Sequence, residues 1–158
     1  MFRLFFIIVF IAFFGCNKNN VHQDKSKSDF LFNQDKIYQK YQINLLELHN
    51  KMRVEKGYKP LVIDKNLCKY AEVHVKKMVE KNSLYHSKMS DLRKVNSGTN
   101  LVGENIALGQ DNEESVVNSW MWSPGHRWNI LGAGYKKVGF GMILDKNERK
   151  YWCTVFSD

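Results

Sequence analysis

The strongest constraint on the fold is a pair of strand-like runs near the C-terminus, KVGFGMIL (137–144) and YWCTVF (151–156). They are joined by DKNERK, which contains no apolar residue, so the two runs are predicted to pair as a β-hairpin. A third run, GENIALG (103–109), is apolar and bounded by glycines, which is compatible with another strand or a tight extended segment. Helical patterns precede the hairpin, and this segregation predicts an α+β domain built in layers.

Three segments carry apolar residues at the three- and four-residue steps typical of helices. The first is predicted to end at Gly57, and the second to run from the N-cap Asp64 to about Lys81. Asp111 followed by Glu114 is a capping-box pattern that predicts the start of the third helix. The apolar faces comprise Ile37, Tyr41, Leu45, Leu48 and Met52 in the first helix, Leu67, Ala71, Val75, Met78 and Val79 in the second, and Val116, Val117, Trp120 and Met121 in the third. The stretch between the second helix and Gly103 is polar and is predicted to be irregular.

Length and charge limit the classes of function. A chain of 158 residues has room for one domain, and 24 Lys and Arg against 16 Asp and Glu give a net charge of +8. The lysines are scattered, and there is no zinc-finger spacing or phosphate-binding Gly-rich loop, so nucleic-acid binding is not predicted. We expect a monomer with loose affinity for acidic surfaces.

The N-terminal sequence MFRLFFIIVFIAFFGC predicts a targeting segment. Its apolar run, residues 4–14, is too short to span a bilayer as a helix, which needs about 20 residues. The run ends at Gly15-Cys16, which resembles a bacterial lipoprotein cleavage box and predicts a signal peptide over 1–15 and a lipid, such as palmitate, on Cys16. An uncleaved anchor and an ordinary secretory signal remain alternatives. Residues 16–35 are polar and predict a flexible tether to a domain over 36–158, so we expect a protein held by its lipid in the bacterial envelope, at the outer membrane or cell surface.

Two histidines and one glutamate lie in breaks between the predicted elements. His86 follows the second helix, Glu104 follows Gly103, and His126 lies in NSWMWSPGHRWNIL (118–131), where Pro-Gly predicts a tight turn that directs the imidazole into a pocket. Two imidazoles and one carboxylate are a sensible donor set for a divalent metal, with Zn²⁺ favoured, although their spacing matches no compact metal motif. His49 is interpreted as a residue at the boundary of the apolar face of the first helix, and His74 as a packed residue with a satisfied ring nitrogen.

The segments YHS, GENIA, SVVNSWMWSPGHRWNIL, VGFGMI and YWCTVF occur in the order found in the CAP superfamily, also called the SCP or PR-1-like domain. The chain resembles its compact bacterial branch over about residues 45–156. The resemblance implies a three-layer α-β-α sandwich with one or two further strands. It also implies a cleft lined by two histidines and two acidic residues, with which zinc is associated in the family. By motif, His86, Glu104 and His126 match three of these four positions, whereas no acidic residue follows Trp120 to supply the fourth.

The remaining candidates are weaker. Ser87 lies next to His86 and is a formal nucleophile, and Trp122 could border the cleft, although core packing is favoured for both Trp120 and Trp122. Trp128, Ile130 and Leu131 are expected to anchor the turn in the core, while Asn129 bonds backbone groups. Cys68 and Cys153 could form a disulfide, but their apolar settings favour two unpaired, buried thiols.

Three functions remain open at this point. The first is a non-enzymatic binding module whose cleft takes a divalent metal or an unknown small-molecule, lipid or acidic polysaccharide ligand. The second is a zinc-dependent hydrolase that uses His86, His126 and Glu104 in the same cleft. The third is a basic surface adhesin whose cleft is a relic. No pattern in the sequence supports catalysis directly, and we name no catalytic residue.

Overall fold

The apolar patterns of the sequence assemble into a sheet covered by helices on both faces in the computed structural model, which describes residues 40–95 and 101–158. The predicted signal peptide (1–15) and the tether with the lipidated Cys16 (16–35) lie outside the described residues. The helices are α1 (residues 40–55), α2 (Lys65–Glu80), α3 (Met89–Val95), α4 (Glu113–Trp122) and α5 (Pro124–Leu131). The strands are β1 (Val62–Ile63), β2 (Val102–Leu108), β3 (Lys137–Leu144) and β4 (Lys150–Ser157).

The predicted hairpin forms the centre of the sheet. Strands β3 and β4 pair antiparallel from Lys137 opposite Ser157 to Leu144 opposite Lys150. GENIALG is indeed a strand, β2, which pairs antiparallel with the other side of β4. The two-residue β1 adds to β3 in parallel, so the strand order is β1-β3-β4-β2.

The alternation of side chains along the strands separates two apolar clusters. On β4, Trp152 and Phe156 belong to a cluster with residues of α1, α4 and α5, whereas Tyr151, Cys153 and Val155 belong to a cluster with α2 and α3. Because neighbouring residues of a strand point to opposite faces, each cluster occupies one face of the sheet. The predicted α-β-α sandwich is confirmed.

Helix α2 lies directly on β3 because two glycines leave room for its backbone. A Cβ atom at Gly139 would lie 2.2 Å from the backbone nitrogen of Cys68, and one at Gly141 would lie 2.4 Å from the carbonyl carbon of Ala71. Four α2 residues that face this contact are fully buried: Leu67, Ala71, Val75 and Met78. The layer is therefore thinner here than side chains on β3 would allow.

The helix ends confirm two sequence predictions and correct a third. The Asp64 side chain accepts hydrogen bonds from the backbone N–H groups of Asn66 and Leu67, as an N-cap should, and Gly57 follows α1 with a positive φ of 77°. The capping box of α4 is formed by Asn112 and Ser115, each accepting from the other's backbone N–H, and not by the predicted pair one residue earlier. The polar stretch predicted to be irregular contains α3, whose Leu92 is buried against the α2 cluster.

The predicted Pro-Gly turn is wrong. Pro124 is the first residue of α5, where its fixed φ suits a helix and its missing N–H is not needed. The chain therefore bends at Ser123, between α4 and α5, and His126 lies in the first turn of a helix.

Two polar side chains of α1 are fully buried. Arg53 donates hydrogen bonds to the carbonyl oxygens of Lys59, Ile130, Gly132 and Tyr135, which ties the end of α1 to the loop after α5. His49, predicted to lie at the boundary of the apolar face of α1, is instead 0% exposed. Its neighbours are the rings of Trp120, Phe140 and Phe156, at centroid distances of 5.2–5.9 Å.

Cys68 and Cys153 are free thiols, and both are buried, as predicted. Burial raises the pKa of Cys68 to about 11 and that of Cys153 well above its usual value. Both thiols therefore stay protonated at neutral pH.

Candidate functional site

The centre of the candidate site is a buried carboxylate on an edge strand. Glu104 lies on β2 and is 6% exposed, facing the same side of the sheet as Val102 and Ile106. Its Oε1 accepts a hydrogen bond from Nδ1 of His86 at 2.8 Å and another from the backbone N–H of Ser87 at 2.9 Å. The loop that follows α2 is thereby held against β2, and two of the predicted site residues are brought together.

His86 lies above this carboxylate and faces the solvent. Its side chain is 58% exposed, whereas that of Glu104 is 3% exposed. Because an ionised carboxylate only accepts hydrogen bonds, the proton of the neutral imidazole resides on Nδ1, and Nε2 presents a lone pair. The pair is thus an oriented imidazole supported by a buried acceptor.

The second carboxylate oxygen of Glu104 lies near two buried groups that the sequence did not place in the site. Nε2 of His74 is 3.7 Å from Oε2, and it also lies 2.8 Å from the carbonyl oxygen of Tyr85, to which it donates. The thiol of Cys153 donates to the same Oε2 at 3.9 Å. The interpretation of His74 as a packed residue with a satisfied ring nitrogen is confirmed, but its position beside Glu104 was missed. The available signal was its place on the buried stripe of α2, near the end that leads to His86.

His126 lies on α5, on the other side of β2 from Glu104, and is close enough to His86 for the two rings to interact electrostatically. Its backbone carbonyl accepts a hydrogen bond from the Asn105 side chain at 3.0 Å, which places the first turn of α5 beside the neighbour of Glu104. Burial lowers the pKa of His126, and the electrostatic effect of a proton on the nearby His86 lowers it further. Neutral imidazole is therefore favoured at pH 7, and its ring retains a lone pair for a ligand.

The edge of β2 is closed by side chains of α4 and α5. Asn129 donates to the carbonyl oxygen of Glu104 at 3.1 Å and to the side-chain oxygen of Asn105 at 2.9 Å, as the backbone-bonding role predicted for it requires. The indole N–H of Trp120 donates to the carbonyl oxygen of Ile106 at 3.2 Å. These bonds fix the strand that carries Glu104, so the position of the carboxylate depends on both layers.

Ser87 lies beside Glu104, whereas Trp122 departs from the core packing expected of it. The contact of Ser87 with Glu104 is made through its backbone N–H, so the residue helps to hold the carboxylate. Trp122 is 86% exposed, and the expectation that it packs in the core is wrong, because it is the last residue of α4 and points away from the sheet. Its predicted place at the border of the site remains a prediction.

The donor atoms do not fit a preformed three-ligand metal centre. Within residues 40–95 and 101–158, no three His, Cys, Asp or Glu side chains are grouped to hold a metal ion. Both oxygens of Glu104 already accept hydrogen bonds from the protein, so the imidazole nitrogens of His86 and His126 are the atoms available to a metal ion.

None of the helices in the described ranges combines the length and hydropathy of a membrane span.

Comparisons with known proteins agree on one family. Residues 46–156 match the CAP (cysteine-rich secretory protein) family. The uncharacterised protein YkwD of Bacillus subtilis is 37% identical over 109 residues, which cover 65% of this chain and 42% of YkwD. The match to the membrane protein YlbC of the same organism covers 33% of that protein. The chain therefore spans less than half the length of these two curated relatives.

Solved structures show the same fold. An outer surface protein from Borrelia burgdorferi superposes with a TM-score of 0.65 at 24% identity, covering 72% of this chain and 88% of that protein. An extracellular SCP-domain protein from Bacillus anthracis superposes with a TM-score of 0.66 at 26% identity, covering 75% of this chain and 40% of that protein.

Proposed function

Because this chain belongs to the CAP family, we propose that it is an envelope-anchored binding module whose ligand contacts the imidazoles of His86 and His126. The observation that carries this proposal is the exposed His86 ring held by the buried Glu104 at 2.8 Å. A ring fixed in one orientation offers its lone pair to a ligand with little loss of side-chain freedom. Glu104 thus acts as a positioning residue, in place of the metal-ligand role that its motif implied.

The envelope location and the anchor rest on the N-terminal sequence. The apolar run that ends in Gly15-Cys16 supports lipidation of Cys16, and the surface location of the Borrelia relative agrees with an envelope protein. Cells grown with labelled palmitate should incorporate label into the wild-type protein and not into the Cys16→Ser variant. Equal labelling of the two proteins would refute the anchor without affecting the binding site.

The zinc prediction becomes a narrower one. The two imidazoles of His86 and His126 fit a weak, exchangeable cation site, whereas a catalytic zinc centre usually has three protein ligands. Calorimetric titration with Zn²⁺ should detect binding that disappears in His86→Gln and in His126→Gln. Glu104→Gln should weaken it by about 10- to 100-fold, because the support that orients His86 changes. Lys88→Ala, an exposed neighbour of the site, is the matched control and should bind as the wild type does.

A readout besides metal affinity tests the role of Glu104. Long-range ¹H–¹⁵N NMR spectra should assign the His86 proton to Nδ1 in the wild type and show a mixture of tautomers in Glu104→Gln. A wild-type ring in the Nε2–H tautomer would contradict the proposed site. If the wild type binds Zn²⁺ no more tightly than at millimolar concentration, a metal cation is not the ligand of this site, and the binding module must recognise another ligand.

The second candidate function is hydrolysis, and the same carboxylate–imidazole pair favours it. An imidazole whose Nδ1–H is held by a carboxylate is the arrangement of a general base, with Nε2 of His86 directed to the reacting group. Peptide, ester and cell-wall substrates should be tested with the wild type, His86→Gln and Glu104→Gln. Turnover by the wild type that both variants lose while they remain folded would show that the protein is a hydrolase and not a binding module.

A further inference from the structure

Two tryptophans at the junction of α4 and α5 are exposed to solvent. Trp122 is 86% and Trp128 is 65% exposed, whereas Trp120 and Trp152 are 1% exposed. The prediction that Trp128 anchors this segment in the core is wrong, and Ile130 alone of the three expected anchors is fully buried. Tryptophan is highly buried on average, so two exposed indoles at one junction require an explanation.

The junction cannot easily fold these rings inward. Ile130 is fully buried, and Asn129 is hydrogen-bonded to β2, so the rotation of α5 is fixed. The Arg127 side chain donates to the carbonyl oxygen of Met121 at 3.3 Å, which links α5 back to α4. Trp122 and Trp128 are therefore held outward by the same contacts that hold the site strand.

The surroundings of Trp128 combine aromatic and basic groups. A hollow of about 460 Å³ is lined by Tyr58, Arg127, Trp128 and small or apolar residues of α5 and the following loop. Lys56 and Lys59 flank Tyr58 in an exposed turn in which Glu55 is the single acidic residue. We call Tyr58, Trp122, Arg127 and Trp128 the tryptophan corner.

We propose that the tryptophan corner rests on an anionic phospholipid surface. Indole rings favour the membrane–water interface because their apolar body and polar N–H suit the two environments. The nearby Lys and Arg side chains are attracted to an anionic leaflet, which agrees with the net charge of +8. The planar guanidinium of Arg127 matches a phosphodiester, and the hollow beside it has room for a headgroup. The proposal is independent of the Cys16 anchor, because it concerns which face of the domain touches lipid.

Tryptophan fluorescence of the full chain tests this contact directly. The chain has four tryptophans, none of them in the apolar run 4–14, and every variant shares that run. With Trp120 and Trp152 buried, a change in emission reports Trp122 and Trp128. In phosphatidylcholine vesicles that contain phosphatidylglycerol we expect a blue shift and quenching by brominated lipid. Both signals should be several-fold smaller in pure phosphatidylcholine or at high salt.

Variants make the test specific. The double variant Trp122→Ala, Trp128→Ala should show no blue shift. Arg127→Gln should have a blue shift that differs less between anionic and pure phosphatidylcholine vesicles. Val62→Ser, which alters an exposed apolar residue on β1, should have the same blue shift as the wild type. An unchanged emission in anionic vesicles would overturn the proposal. A blue shift that a soluble acidic polysaccharide produces and vesicles do not would also overturn the proposal, because the tryptophan corner would then bind a glycan.

Discussion

Replacing Gly139 by alanine would force α2 away from the sheet. The added Cβ would lie 2.2 Å from two backbone atoms, the nitrogen of Cys68 and the carbonyl carbon of Leu67. Ordinary contact begins at 3.4 Å, so the two elements must separate by roughly 1 Å at a point where neither side is a flexible side chain. Overpacking of cores costs about 1–3 kcal/mol, and a backbone clash places this substitution at the upper end, about 3 kcal/mol.

Urea unfolding followed by circular dichroism measures this cost. With a slope of about 2 kcal/mol per molar urea, the midpoint should fall by about 1.5 M in Gly139→Ala. The matched control is Gly125→Ala, because Gly125 lies in α5 and a Cβ there meets no atom within 4 Å. The control should keep the wild-type midpoint or raise it slightly, since alanine favours a helix over glycine by about 1 kcal/mol. A Gly139→Ala midpoint equal to that of the wild type would refute the direct contact of α2 with β3.

Three further predictions concern α1 and α4. Burial lowers the pKa of His49 from 6.5 to about 4. Between these two pH values, the imidazole is therefore protonated in the unfolded chain and neutral in the folded chain. The contribution of His49 to the free energy of unfolding is fully present above pH 6.5 and should decrease by about 3 kcal/mol as the pH falls to 4. In a His49→Leu variant, unfolding experiments across this pH range should show a free energy of unfolding that lacks this decrease. Arg53→Lys should destabilise the fold by about 3 kcal/mol or more in urea, because one ammonium group cannot replace the bonds to four carbonyl oxygens, and a loss below about 1 kcal/mol would contradict their importance. Asn112→Ala should cost about 1 kcal/mol in thermal unfolding whereas Asp111→Ala should cost little, and the reverse order would restore the capping box predicted from sequence.

Local sequence rules predicted the elements whose signals lie within a few residues. The hairpin follows from two alternating runs and a polar loop, and the start of α2 follows from the side chain of Asp64. His86 and Glu104 were grouped by their positions in breaks between predicted elements, and the family resemblance strengthened that grouping, because the chain between them carries no local signal of contact.

The errors share a physical cause, which is that tertiary contacts decide among local alternatives. Pro-Gly suits a turn or a helix start, and α5 forms because Asn129 and Ile130 anchor it on β2 and in the core. His49 and Trp128 have intermediate polarity, so their burial depends on which way their helices face. The place of His74 on the buried stripe of α2 indicated that it is packed, but its position beside Glu104 depends on how α2 lies against β2, which no local pattern gives.

The order β1-β3-β4-β2 has a consequence for the way the molecule is made. The central strand β4 is the last of the described elements in the chain, and all five described helices precede it. During synthesis the described helices emerge before the strand that joins the two halves of the sheet. Long-range strand pairing is slow and must wait for both partners. The two halves of the sheet can therefore be joined only after β4 has been made, so the four-stranded sheet is completed late in synthesis.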